Sequence, residues 1–320
     1  MTSPGPQRFP WNLDWNLLRT FMVVVEKRGI SKAADVLGLK QPTVSAALKR
    51  LEATVGKTLI IRKPNEFSVT RAGQVLYTQS ATIFGAVSQL PELMDVAGDT
   101  LRGHIAISTT SHVMSDHFDA FLNRFAATHP KITYGFQVLE SHDVETMIAQ
   151  NRASLGICLL SRIPDRLTAE VLYKEYFGLY CGPRHRLFNT DHIGTEDLAD
   201  EPFVAFQTEA EGGPLEAISH LRARMGMSSN WRGVSSNLTE IRRMIMAGIG
   251  IGALPVHVAA RDVAAGSLHQ LPPLDGLPEV SIYIITNPDR RLSEAEHSFL
   301  HELRQSLAET NLSERTYGTD

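Results

Sequence analysis

Short β-prone apolar runs alternate with amphipathic helical stretches from Gly103 to Leu307, and this alternation constrains the fold more than any other feature of the chain. Residues 105–107, 132–138, 155–159, 177–181, 203–206, 249–254 and 281–285 read as strands. Helices fall among them, one ending near Thr128 and others over 144–152, 214–224, 239–247 and 293–307. Parallel strands need long crossover connections, so this order dictates a mostly parallel sheet with helices on both faces. Sheets of that kind take ligands at strand C-termini and helix N-termini, where free N–H groups point outward. The hydroxyl cluster Ser108, Thr109, Thr110 and Ser111 stands at one such junction.

The stretch before Gly103 follows another pattern. Residues 1–13 read as a loose tail. Leu17, Leu18, Phe21, Val24 and Val25 share one helical face. Gly29 stops that helix, and Ser31 is placed to cap a second, which carries Ala33, Ala34 and Leu37 inward. After Gly38, Pro42 sits where a first-turn proline is tolerated, opening a third helix with Val44, Leu48, Leu51 and Val55 on its buried face. Two β-prone runs around Pro64 and Asn65 then read as a small hairpin. Three helices and a hairpin make a winged helix-turn-helix, which presents its third helix to the major groove of DNA. The outward positions of that helix are Gln41, Thr43, Ser45, Ala46, Lys49 and Arg50. Gln41 and Thr43 suit base edges, Ser45 suits a phosphate, and Lys49, Arg50, Arg62 and Lys63 carry charge for the backbone or minor groove. From Thr70 to about Gly98 a helix returns, with Leu76, Ile83, Val87, Leu90 and Met94 near a 3.5-residue period that suits a partner helix, interrupted by Pro91.

Charge supports the division. Residues 1–73 hold 12 Lys and Arg against 5 Asp and Glu, whereas the whole chain carries a net charge of −4. A basic head on an acidic body fits a nucleic-acid module joined to another function. The two cysteines, Cys158 and Cys181, stand in apolar strand contexts and support neither a disulfide framework nor a metal motif. His297 and His301 share a helical face without a third metal ligand, and no nucleophile–base–oxyanion set assembles, so no cofactor, metal or catalytic role is expected. The glycines 248, 250 and 252 lack the dinucleotide spacing and sit where a helix ends and a strand begins, which makes Gly248 a helix C-cap. With no secretory or membrane-spanning segment in view, the cytoplasm is the expected compartment.

Ala33-Ala34, Leu37, Gln41-Pro42, Val44-Ser45, Leu51-Glu52, Gly56, Leu59, Arg62, Val69-Thr70 and Ala72-Gly73 stand at the spacing of the LysR-type transcriptional regulators. Gly103 with Ile105 and Ile107, Pro130 with Ile132, the segment 201–204 and the segment 247–256 extend the resemblance over residues 14–307. Departures are Ile60 where the family usually has Phe, Ala46 or Ala47 where it often has a long polar residue, and Asn151 and Ser154 where it often has Gly and Asp.

The resemblance implies an α+β chain: a winged helix-turn-helix over 14–73, a dimerising linker helix over 74–100, and a two-subdomain α/β effector-binding domain like a periplasmic solute-binding fold. Subdomain I would take 101–161 and 287–310, subdomain II 162–286, and 311–320 would be a tail. It implies DNA contacts from Ser31, Gln41, Pro42, Thr43, Ser45, Lys49, Arg50, Arg62 and Lys63. It points to Thr109, Thr110 and Ser111 as effector contacts, with Glu140, Ser141, His142, Phe206, Gln207 and Thr208 on loops that follow strands. The implied partners are double-stranded operator DNA, a small-molecule effector, RNA polymerase and further copies of the chain as a dimer of dimers. The implied function is a ligand-responsive transcriptional regulator, not an enzyme. The alternative is an intracellular solute-binding sensor without specific DNA binding.

Overall fold

The computed structural model describes residues 13–63, 66–88, 90, 101–227 and 230–318. Two compact units divide the chain, the first running through Leu90 and also taking Gln150–Arg152. In it, helices α1 (Trp15–Glu26), α2 (Ile30–Leu37) and α3 (Gln41–Val55) precede a hairpin of β1 (Ile60–Lys63) and β2 (Glu66–Val69), and α4 (Arg71–Ser88) follows. Leu17, Leu18, Phe21, Val24, Ala33, Ala34, Val44, Leu48, Leu51 and Leu59 form its core, the apolar face read from the periodicity. Removing these side chains from water supplies the main stabilisation, about 1.5–3 kcal/mol for each large one.

The local stops are those expected, with two exceptions. The first is that α1 ends at Glu26 with Arg28, at φ 47°, in the left-handed position, whereas Gly29 is extended at φ 170° and opens the next helix. Gly38 and Gly56 both take left-handed conformations, φ 65° and 72°, at the ends of α2 and α3. Ser31, however, is not a cap: Gly29 holds that position, and Ser31 lies exposed inside the first turn. The hairpin is tied to α3 by Glu52, whose Oε1 accepts from the N–H groups of Leu59 and Ile60 at 2.8 and 3.3 Å. Thr70 donates to the Thr58 carbonyl at 2.8 Å and accepts from the Gly73 N–H at 3.0 Å. A Cβ on Gly73 would sit 2.2 Å from the Leu59 carbonyl oxygen, so only glycine fits there. The expected linker helix is present over Arg71–Ser88, while residues 91–98, Pro91 among them, lie outside the described residues.

The second unit contains β3 (Gly103–Thr109), α5 (Asp116–Thr128), β4 (Ile132–Val138), α6 (Ser141–Ala149), β5 (Leu155–Leu159), β6 (Thr168–Cys181), β7 (Phe203–Phe206), α7 (Glu216–Arg224), β8 (Trp231–Ser235), α8 (Leu238–Met246), β9 (Ile251–Pro255), α9 (Val256–Ala264), β10 (His269–Leu271), β11 (Glu279–Thr286), α10 (Glu294–Glu309) and β12 (Thr316–Tyr317). The strand path is β4-β3-β5-β11-β6-β9-β7-β8, with β10 and β12 also pairing β6. Strands β3, β4 and β5 are mutually parallel, as are β7, β8 and β9, which realises the expected parallel cores. The strands that join the cores, β6 and β11, run antiparallel to their neighbours along this path, a departure from a wholly parallel reading.

That joint moves the lobe boundaries. Thr168 to Tyr176 pairs with β11, which in turn pairs with β5, so this half of β6 and all of β11 belong to the first lobe's sheet. Phe177 to Cys181 pairs with β9 and β10 in the second lobe's sheet. The expected cuts at 161/162 and 286/287 therefore fall too early and too late. Residues 311–318 also pack back on the domain rather than forming a loose tail. Buried Arg315 donates to the carbonyls of Val171, Leu172, Leu307 and Thr310, which lays Thr316 and Tyr317 beside Lys174 and Glu175 as β12. Gly248 follows α8 at φ 73° and closes the helix, as read from the sequence. Asn151 adopts φ 56°, the left-handed region that a glycine would take without strain. Ser154 accepts from the Ala106 N–H and donates to Glu296, tying β3 to α10.

Candidate nucleic-acid face and effector seam

Helix α3 buries Val44, Leu48 and Leu51 and leaves Gln41, Pro42, Thr43, Ala46, Lys49 and Arg50 exposed, with Ser45 half-buried. Ser31 is exposed on α2. Arg50 meets Asp14 at 3.6 Å with 69 % of its side chain exposed, so this ion pair contributes little to stability and leaves the guanidinium on the outer face. Arg62 and Lys63 stand on β1 opposite Phe67 and Glu66. The structure thus brings the candidates from α3 onto one outward surface of a basic head.

In the second unit, the two lobes meet at the segment that follows β3. Ser111 donates to the Ser236 carbonyl at 3.3 Å and accepts from the Leu238 N–H at 3.2 Å, so a first-lobe hydroxyl takes the first N–H of the second-lobe helix α8, whose own N-cap is Asn237. It does not cap the helix that follows it in sequence, α5, because Ser115 does so. Thr110 is buried, and its Oγ1 has no hydrogen-bond partner in the protein. Thr109 donates to the Thr110 carbonyl at 3.3 Å. Buried His112, not singled out from the sequence, faces Phe206 across the seam with ring centroids 6.2 Å apart, and neither of its ring nitrogens has a partner. Phe206 is itself buried and packs edge-on to Phe177.

The other candidates are dispersed. Gln207 and Thr208 lie in the 3-10 turn after β7, where Gln207 lines an open groove with Phe203, Ala205, Arg222 and Trp231. Ser141 is buried at the start of α6 with an unpartnered hydroxyl, and Glu140 is exposed. His142 lines a separate depression with Glu145, Pro164 and Arg166. Cys158 and Cys181 are fully buried, and burial raises both thiols, Cys181 to about 12, which suppresses thiolate chemistry.

Burial holds the His112 imidazole down at about 4, so it is neutral near pH 7, with one donor and one acceptor nitrogen. Its folded value lies below the unfolded one near 6.5. Stability is therefore fully present above pH 6.5 and declines as pH falls toward 4, by up to about 3 kcal/mol. The variant His112→Phe is expected to flatten this acid slope, read as melting temperature between pH 7 and 4.5. A slope equal to that of the parent protein would remove the assignment.

The geometry defines a DNA-binding head of winged helix-turn-helix type together with a two-lobed α/β domain whose lobes meet at a polar seam. Residues 15–94 match the bacterial regulatory helix-turn-helix protein, lysR family, and residues 98–308 match the LysR substrate binding domain. The chain belongs to the LysR family of transcriptional regulators: it is a DNA-binding regulator with an effector-binding domain, not an enzyme. Relatives include the HTH-type transcriptional regulator CfxR of Cupriavidus necator, 27 % identical over 91 % of each chain. Another is the HTH-type transcriptional activator BauR of Pseudomonas aeruginosa, 25 % identical over 92 % of this chain and 96 % of that one. Among solved structures, the LysR family transcriptional regulator CbnR shares the fold with TM-score 0.64 at 16 % identity, covering 92 % of this chain and 99 % of that one. ArgP from Mycobacterium tuberculosis does so with TM-score 0.62 at 19 % identity, covering 96 % and 100 %. Among the described residues, no helix is long and apolar enough to cross a membrane.

Proposed function

We propose that a small polar effector binds at the seam between the lobes and shifts their arrangement, which resets how paired heads engage operator DNA. The observation that carries this reading is the seam itself: Ser111 bridges to α8, beside the buried Thr110 hydroxyl and His112 imidazole that no protein group satisfies. A buried polar group costs free energy unless it is hydrogen-bonded, so such groups favour a ligand that supplies the missing partners. Neutral donors and the Phe206 ring suit a small polar or carboxylated metabolite. The ligand would act by binding one lobe arrangement better than another.

On the DNA side, residues 14–73 form the reading head, with Gln41 and Thr43 at base edges and Ser31, Pro42, Ser45, Lys49, Arg50, Arg62 and Lys63 along the backbone or minor groove. The linker over 74–100 pairs with a second copy, two such pairs assemble as a dimer of dimers in the cytoplasm, and RNA polymerase receives the output. A mobility shift and footprint on the DNA upstream of the gene, with excess non-specific competitor, tests this reading. A roughly symmetric protected site spanning several helical turns supports it, and the absence of any specific site across a genome-wide selection overturns it. The variant Arg50→Ala is expected to weaken specific and non-specific binding alike and to reduce the log–log salt slope by about one. A loss confined to the specific site would reassign Arg50 to base reading.

A further inference from the structure

Strand β6 carries a carboxyl group that the protein buries without satisfying. Glu175 has no exposed surface, and neither Oε1 nor Oε2 has a hydrogen-bond partner. It sits just before the point where β6 leaves the first lobe's sheet for the second. His257, in the first turn of the second-lobe helix α9, faces it, with Nδ1 4.0 Å from Glu175 Oε2. Nδ1 also lacks a partner.

The opposite edge of the same ring fixes its tautomer. His257 Nε2 lies 3.1 Å from the Met114 carbonyl oxygen. A carbonyl only accepts, so in the neutral ring Nε2 carries the hydrogen and Nδ1 turns a lone pair toward Glu175. A lone pair facing a carboxylate is repulsive, whereas a lone pair facing a carboxylic acid attracts its O–H. Burial acts in the same direction on both groups, raising the Glu175 carboxyl well above its usual range and lowering the His257 imidazole.

The same ring belongs to a clamp on the effector seam. The Met114 N–H donates to the Tyr173 hydroxyl at 3.2 Å, so both polar groups of the Met114 backbone are held, one from each lobe. Tyr317, brought in by β12, stacks on His257 with centroids 4.5 Å apart and lies within hydrogen-bond distance of Ser115 through its hydroxyl, at 3.1 Å. Tyr173 meets both rings edge-on.

We infer that Glu175 and His257 hold a single proton between them and form a latch across the lobe junction, with Glu175 acting as a positioning residue for the segment 110–115. At 4.0 Å the pair stands about one ångström beyond hydrogen-bond length, so a small approach of α9 to β6 closes the bond and a small separation opens it. The latch rests on its own geometry. Its consequence for effector response rests on the reading of the seam given above.

The other titratable groups facing this pair are Tyr173 and Tyr317 from the strands, with Asp116 near His257 and Asp119 near Tyr173 from α5. Lys174, Tyr176 and Glu279 pair with one another on the opposite face of β6. An acid raised in the folded state contributes stability that is lost as pH rises from the ordinary carboxyl range through the folded value. A histidine lowered in the folded state contributes stability that is lost as pH falls below 6.5. The junction is therefore most stable where the pair holds one proton.

The test uses the full-length protein and the variants Glu175→Gln, Glu175→Leu and His257→Leu. Melting temperature is followed from pH 5 to 9, and amide exchange of peptides covering 111–116 is followed at neutral pH. Glu175→Gln, whose amide donates to Nδ1, should keep native exchange in that segment and lose the alkaline decline in melting temperature. With the bond closed in solution, Glu175→Leu removes it and His257→Leu removes it together with the Met114 contact, so each should speed exchange there, by about tenfold for Glu175→Leu. Native exchange in both leucine variants, or an alkaline decline undiminished in Glu175→Gln, overturns the latch. If Glu175→Leu does not fold, His257→Leu and Glu175→Gln decide between these outcomes. The exchange and melting readouts involve no effector, so a failed effector screen overturns the seam reading and leaves the latch standing.

Discussion

Replacing Thr110 by valine is expected to abolish the effector-dependent change in DNA binding while leaving the protein as stable as before, or more so. The side chains are nearly isosteric, so packing is kept, and what is lost is a hydroxyl. That hydroxyl is buried and makes no hydrogen bond within the protein. An unsatisfied buried polar group costs about 1–3 kcal/mol, and deleting it recovers part of that cost. A gain of about 1 kcal/mol raises the melting temperature of a domain of this size by roughly 2–4 °C. A helix cap behaves oppositely, since its removal costs about 1 kcal/mol. Calorimetry and operator binding with and without the effector found by screening separate the two. A lower melting temperature with the response intact would make Thr110 a structural residue.

The parts of this protein that were legible in its sequence are those where one periodicity governs one surface. Helices α1 to α3 bury a single stripe each, so Val44, Leu48 and Leu51 announce both the core and the opposite reading face. Strands β4, β5 and β7 are short apolar runs between turn signals, and their limits coincide with those read. The first half of β6 was not legible, because Lys174 and Tyr176 point outward while Glu175 points into the core, a sequence that reads as surface. Edge strand β8 leaves Trp231 and Val234 exposed and lacks a clean alternation. Helix α9 begins at the residue after β9 ends and is rich in β-branched valines, so Pro255 at their junction reads as the end of an apolar run rather than as a helix start. At the site, Ser111 was identified but its partner was not, since its bond to the first N–H of α8, 127 residues away, is a tertiary event. His112 was missed for the same reason: its burial and its approach to Phe206 depend on the meeting of two lobes. The end of the chain is polar by composition, yet the guanidinium of Arg315 finds carbonyls left open by α10 and β6.

Breaking the buried pair behind the second-lobe side of the seam should have the largest effect on stability. Arg222 of α7 and Glu209 are both buried and form a close ion pair, Arg222 lies over the Phe203 ring at 4.4 Å, and Glu209 Oε1 accepts from the Phe206 N–H at 2.8 Å. The carboxylate thus fixes the turn that carries Phe206, Gln207 and Thr208. The variant Arg222→Met keeps most of the volume but leaves Glu209 as an uncompensated buried charge, a change that costs about 3–5 kcal/mol, on the order of 10 °C in melting temperature. Burial already holds the Glu209 carboxyl above its ordinary range against the pull of Arg222, and removing Arg222 raises it further. Since the raised group favours the protonated folded state, the variant's stability is retained at the acid end and lost as pH rises from the ordinary carboxylate range. The deficit relative to the parent protein should therefore be larger at pH 8 than at pH 5. Adding Glu209→Gln removes the buried charge and keeps an acceptor for Phe206, so the double variant should recover at least about 2 kcal/mol and lose that pH dependence. Additive losses with an unchanged pH profile would mean that Arg222 stabilises the lobe through packing on Phe203 rather than by neutralising Glu209.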